Sequence, residues 1–113
     1  MTYTGFLQVE PNQFTLHVER IVVRRDSIGI DCCGIILETR QPWSFEATAF
    51  RQPEGYFLVN KWTQYEDDEY ETSIYLLRAK SSVEECAVEG FWCEQMKGYD
   101  PEIWRFSGVL NPF

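Results

Sequence analysis

Four cysteines, one histidine and a run of acids are the residues whose chemistry could carry a function. Asp31, Cys32, Cys33 and Gly34 stand together, and Cys86 and Cys93 follow much later. A thiolate is a nucleophile and a soft metal ligand. A structural zinc centre needs four ligands on one point, usually two cysteine pairs with a few residues inside each. Here one pair is adjacent and the other is seven apart. Side chains alternate along a strand, so residues one or seven apart point to opposite faces. Cys32 and Cys33 therefore diverge, as do Cys86 and Cys93, and all four meet only if both strands bulge. We read no metal site and no cofactor from this spacing. Cysteine is often a small buried hydrophobe, and packing is the simplest account of the four thiols. A redox or nucleophilic role for Cys32 or Cys33 is the alternative, which would make the protein a thiol-dependent enzyme. By parity Cys32 sits with Ile28, Ile30 and Ile36 and is expected to point inward. His17 is the only histidine, and nothing in the sequence sets it beside a thiol.

The acids cluster in Tyr65 to Glu71: Glu66, Asp67, Asp68, Glu69 and Glu71. A hard cation wants several oxygens at one point, and the helix-loop-helix calcium loop adds a glycine for its sharp turn. This segment contains no glycine. A solvated hairpin tip is the plainer reading, since charge there discourages edge pairing. The alternative is a docking surface for a basic protein partner, of the inhibitor or immunity type. Glu89 and Glu94 fall on strand-like sequence, without a pattern that marks an acid-base pair. The chain has no Gly-rich phosphate loop, serine nucleophile elbow or zinc-protease motif, so the reading leans away from an enzyme.

Aromatic residues make up 16% of the chain, enough to furnish either a core or a binding surface. Trp43, Tyr56, Trp62, Tyr75, Trp92 and Trp104 fall on at least five separate strand-like runs. In a closed barrel they could line one interior or mouth and hold a small apolar or aromatic ligand; equally, the rings could simply fill the centre.

These side chains must be positioned by strands. Runs with β character cover 4–10, 13–25, 28–39, 43–51, 55–65, 70–80, 86–96 and 103–110. Turn chemistry separates them: Pro11 and Asn12, Asp26 and Ser27, Gln41 and Pro42, the Gln52–Gly55 segment, and Gly98 to Pro101. Eight such runs, spaced roughly 8–12 residues apart, predict an all-β sandwich or barrel. Short connections favour antiparallel neighbours. An up-and-down meander closing into a small barrel removes exposed edges, and is the preferred reading over a sandwich. Two segments could form a helical turn: Ser81 to Glu85, with Ser81 and Glu84 at capping-box spacing, and Asp100 to Trp104, with Pro101 at the first helical position.

Several runs are apolar on both faces. Bulges that reset the parity, with Gly34 and Gly90 as candidates, are one cause. Ordinary surface scatter and an outer face covered in a homodimer are the others.

With 113 residues the chain is expected to form one domain, large enough to bury a core without disulfides. The net charge is -8 and unevenly spread. Residues 1–51 hold five Lys/Arg against six Asp/Glu, whereas residues 52–113 hold five against twelve. That balance argues against direct nucleic-acid binding, which needs a basic footprint, and against anionic membrane surfaces. No apolar stretch approaches the roughly 20 residues of a membrane helix. The start lacks the pattern of a signal peptide. The expectation is a cytoplasmic protein with reduced thiols. The strand spacing and Gly90-Phe91-Trp92 are similar to small ligand-binding barrels such as lipocalins. There the Gly-x-Trp motif lies on the first strand, and here it lies on the seventh run, so no family is assigned on it. The function expected is a non-enzymatic binding module.

Overall fold

Turn chemistry cuts the chain into eight strands. The computed structural model, which describes residues 1–10, 14–35, 40–65 and 68–113, joins them into one closed barrel. The strands are β1 (Thr2–Glu10), β2 (Phe14–Val23), β3 (Ser27–Ile35), β4 (Pro42–Arg51), β5 (Phe57–Tyr65), β6 (Asp68–Ser81), β7 (Cys86–Met96) and β8 (Glu102–Pro112). Each pairs antiparallel with the next, and β8 closes on β1. The expected meander barrel is thus the observed fold.

No helix occurs among the described residues, and hence none long and apolar enough to cross a membrane. The two segments read as helical turns resolve differently. Ser81 ends β6, and the following turn is closed by Ser82, whose Oγ accepts the N–H groups of Glu84 and Glu85, each at 3.2 Å. Asp100 and Pro101 form a loop before β8.

An even meander sorts its connections to two ends. The β1–β2, β3–β4, β5–β6 and β7–β8 loops share what we term the upper end; the remaining turns and both termini share the lower end. The lower end is closed. Tyr3 is fully buried there, and its hydroxyl donates to the Ser82 carbonyl at 2.6 Å. The Phe113 N–H donates to the Thr2 carbonyl at 2.9 Å.

Alternation along each strand aims one face at the centre. Ile28, Ile30 and Cys32 on β3 are buried, as are Ile74 and Leu76 on β6 and Phe106 and Leu110 on β8. Each large apolar side chain so buried contributes about 1.5–3 kcal/mol. Cys32 points inward with Ile28 and Ile30 as expected; Ile36 lies outside the described residues.

Bulges reset the parity, as expected, and of the two candidate glycines Gly90 adjoins one while Gly34 does not. The register shifts lie between Tyr3 and Gly5 on β1, Val18 and Arg20 on β2, and Leu76 and Arg78 on β6. Gly34 is an ordinary member of its ladder, whereas Gly90 pairs with Leu76 beside the β6 bulge. Both also serve close approach. A Cβ on Gly34 would stand 2.6 Å from the Trp43 ring, and one on Gly90 would meet the Tyr75 carbonyl oxygen and stand 2.7 Å from the Phe106 ring. Each glycine is a notch into which a neighbouring ring leans. On β6 the extra residue is Leu77, exposed between inward Leu76 and half-buried Ala79, which explains why neither face of that strand reads as polar.

One seam of the barrel is weak. Among the described residues β4 and β5 pair only at Phe50 with Leu58 and Arg51 with Phe57, both at the lower end. Above them the two strands splay. Lys61 spans the opening: its Nζ donates to the Glu46 carbonyl at 3.0 Å and lies 5.2 Å from the Phe45 ring centroid.

Candidate functional site: an aromatic mouth

The splayed seam opens onto the inner face of the upper barrel, where β4, β7 and β8 deliver their rings. Trp43 and Phe45 share the inward parity of β4 with buried Ala49; Trp92 shares that of Val88 on β7; Trp104 shares that of Phe106 on β8. Trp92 lies at the focus. Its ring centroid is 5.1 Å from Phe45 and 5.9 Å from Trp43, both in edge-type geometry, and Trp104 is its cross-strand neighbour. Such ring pairs add stability beyond burial alone. All three tryptophans are only partly buried, so ring surface remains open to solvent.

A carboxyl stands beside these rings. Glu94 follows Trp92 by two residues on the inward side of β7, and the Trp92 indole N–H donates to its Oε2 at 3.3 Å. Burial pushes the Glu94 carboxyl above the ordinary carboxylate range. The Trp92 hydrogen bond opposes that shift, and the charge of cross-strand Glu102 adds to it. Nearer the rim, Gln64, Asp68, Glu69, Met96 and Lys97 border an open depression of about 320 Å³.

Below Trp92 the centre is packed. The void that remains there is about 20 Å³ and lined by apolar side chains, including Leu16, Val18, Ile74 and Phe106. A single water requires on the order of 10–15 Å³ and ligand sites run to hundreds, so the interior below the mouth has no room for a ligand.

The six aromatics singled out in the sequence divide into two groups. Trp43, Trp92 and Trp104 meet at the mouth. Tyr75 faces outward between buried Ile74 and Leu76, and stacks obliquely on Tyr56 at 6.0 Å. Trp62 is on the outer face of β5 and is 62% exposed. Phe45 belongs to the mouth and was not singled out; its parity with Trp43 is the signal that identifies it. Of the acidic group, Asp68 and Glu69 are exposed at the upper rim, and Glu71 accepts a hydrogen bond from Asn60 at 2.9 Å. Glu66 and Asp67 lie outside the described residues.

The thiols separate as parity requires: Cys32 and Cys86 are buried, Cys33 and Cys93 half-buried on the outer side. The histidine does not stay alone. On the outer wall His17 is the cross-strand partner of Cys33, with Nδ1 and Sγ 3.3 Å apart. Burial, then the hydrogen bond and charge of Glu19 and the charge of Asp31, raise the Cys33 thiol pKa above its ordinary value.

No protein family, curated protein or solved structure matches the chain.

Proposed function

We propose that the chain is a non-enzymatic binding module whose upper mouth seats a small ligand against the Trp43–Phe45–Trp92–Trp104 cluster. The observation that carries this reading is the convergence of four rings from three strands at the one end where the barrel wall is splayed. Ring faces give a flat apolar or aromatic body its contact area. Glu94 and Glu102 add negative charge beside the rings, which favours a ligand carrying a basic group, held by carboxylate attraction and by the ring faces together. Lys61 already has the Glu46 carbonyl and the Phe45 ring as partners, so it is not a free cation competing for Glu94.

Tryptophan fluorescence, titrated with matched aromatic amines and their neutral analogues, tests the reading. A saturable change is expected, stronger for the amines. It is abolished in Trp92→Phe and retained in Trp62→Phe, whose ring lies outside. No saturable response to any ligand, or a response lost only with Trp62, contradicts it.

A further inference from the structure

We propose that His17, Cys33 and Glu19 form a zinc-binding site on the outer wall of β2 and β3, separate from the aromatic mouth. One ligand atom from each of the three lies within 4.8 Å of the other two. The donors are an imidazole nitrogen, a sulfur and a carboxylate oxygen, the set that zinc accepts. Three protein ligands with solvent access leave a fourth tetrahedral position for water. Calcium and magnesium are disfavoured, because they want several oxygens and this site offers one carboxylate.

The geometry is close to what a bound ion needs. Ordinary zinc–nitrogen and zinc–sulfur bond lengths at the tetrahedral angle set those two atoms about 3.6 Å apart. His17 Nδ1 and Cys33 Sγ are 3.3 Å apart. Glu19 is exposed on the outer wall, and its carboxylate oxygen lies within 4.8 Å of both other donor atoms.

The fold builds this triangle with a bulge. Val18 and Ile21 are both buried although three residues apart, so the two residues between them, Glu19 and Arg20, both face outward. Val18 pairs with Cys32 and Arg20 with Asp31, which leaves Glu19 as the extra residue beside Cys33. Bulges often serve to re-aim a side chain in this way. The Phe6 ring, 4.9 Å from the His17 ring, supports the imidazole from β1. Three donors thus come together on adjacent strands, with the Cys33 thiol already hydrogen-bonded to the Glu19 side chain.

The test uses the full reduced chain, freed of metal with a chelator. Cobalt(II) is titrated first, because a thiolate–cobalt bond produces a charge-transfer band in the near ultraviolet. One equivalent should develop that band, zinc should displace it, and magnesium should not. Cys33→Ser should lose the band. Cys93→Ser, which alters the other half-buried outward thiol, should keep it. Removing even an outer hydrogen-bond partner of a metal ligand costs about 10–100-fold in affinity, so His17→Ala and Glu19→Gln should each lose at least about tenfold. Circular dichroism checks that each variant retains its sheet. The wild-type protein decides the matter even if a variant does not fold. Absence of a charge-transfer band together with no zinc-dependent rise in melting temperature overturns the proposal, as does a band that survives Cys33→Ser.

Discussion

Glu94 shows how a single residue feels the mouth. Its carboxyl is pushed above the ordinary carboxylate value chiefly by burial, so the folded state binds a proton that the unfolded chain releases at lower pH. Stability is therefore fully present below the ordinary carboxylate value and falls as pH rises through the folded value. Glu94→Gln keeps an acceptor for the Trp92 N–H and removes the buried charge. The variant should melt higher than the parent at neutral pH, and the difference should close as pH falls below the ordinary carboxylate range. Melting curves across pH measure this; a difference independent of pH would show that Glu94 is not the group responsible. The thiols give a second prediction at this scale. Burial first, then Asp31, Cys33 and Glu19, push Cys32 up to about 12. Iodoacetamide at neutral pH should modify Cys33 and Cys93 in the folded protein and reach Cys32 and Cys86 only after unfolding, as read by mass spectrometry of peptides. Fast native labelling of Cys32 would revive a nucleophilic role for it.

At the scale of elements, the inward position of Cys32 follows from alternation and was legible in the sequence; the six aromatics were grouped without parity, and alternation separates Trp43, Trp92 and Trp104 from outward Trp62 and Tyr75. Pairing across strands was not legible. The β2–β3 turn pairs Val23 with Ile28, and that spacing continued upward would set His17 against Gly34. The bulge between Val18 and Arg20 moves His17 to Cys33 instead. No local residue type announces it, because Val18, Glu19 and Arg20 are ordinary strand residues; the need to bury both Val18 and Ile21 creates it. The two candidate glycines divide for a related reason. A missing side chain signals a bulge, a close approach or both; Gly34 shows only the close approach and Gly90 shows both, as the neighbouring strand decides. Gly90→Ala tests the close approach. The added methyl would overlap the Tyr75 carbonyl and crowd the Phe106 ring, so it should destabilise by about 1–3 kcal/mol in a denaturant titration. An unchanged midpoint would mean that the β6–β7 ladder can shift to admit it.

For the molecule as a whole, the ring is weakest at one seam among the described residues, and the β1–β8 closure, with five pairs, is intermediate. β3 and β4 pair at nine positions and β5 and β6 at nine, against two for β4 and β5. Amides opening without global unfolding should concentrate where ladder bonds are missing. Hydrogen exchange is therefore expected to be fastest on the facing sides of β4 and β5 above Phe50 and Leu58, and slowest in β6, β7 and β8. Uniform protection around the barrel would show that the seam is closed in solution. The eight strands and their meander were legible because turn residues punctuate the chain regularly. The seam was not, since residues 42–51 and 57–65 have strand-forming sequence as good as their neighbours.

The position of that seam gives the barrel a clasp. Four strands lie on either side of it, β1–β4 with one excess negative charge in residues 1–51, and β5–β8 within the half that carries seven. The two halves are joined through five residue pairs between β1 and β8 and held at the other side by two residue pairs and the Lys61 side chain. No ladder pair among the described residues stands between Lys61 and the rings behind it. If the proposed binding holds, a ligand would therefore meet a side chain at the flank of the barrel rather than a strand.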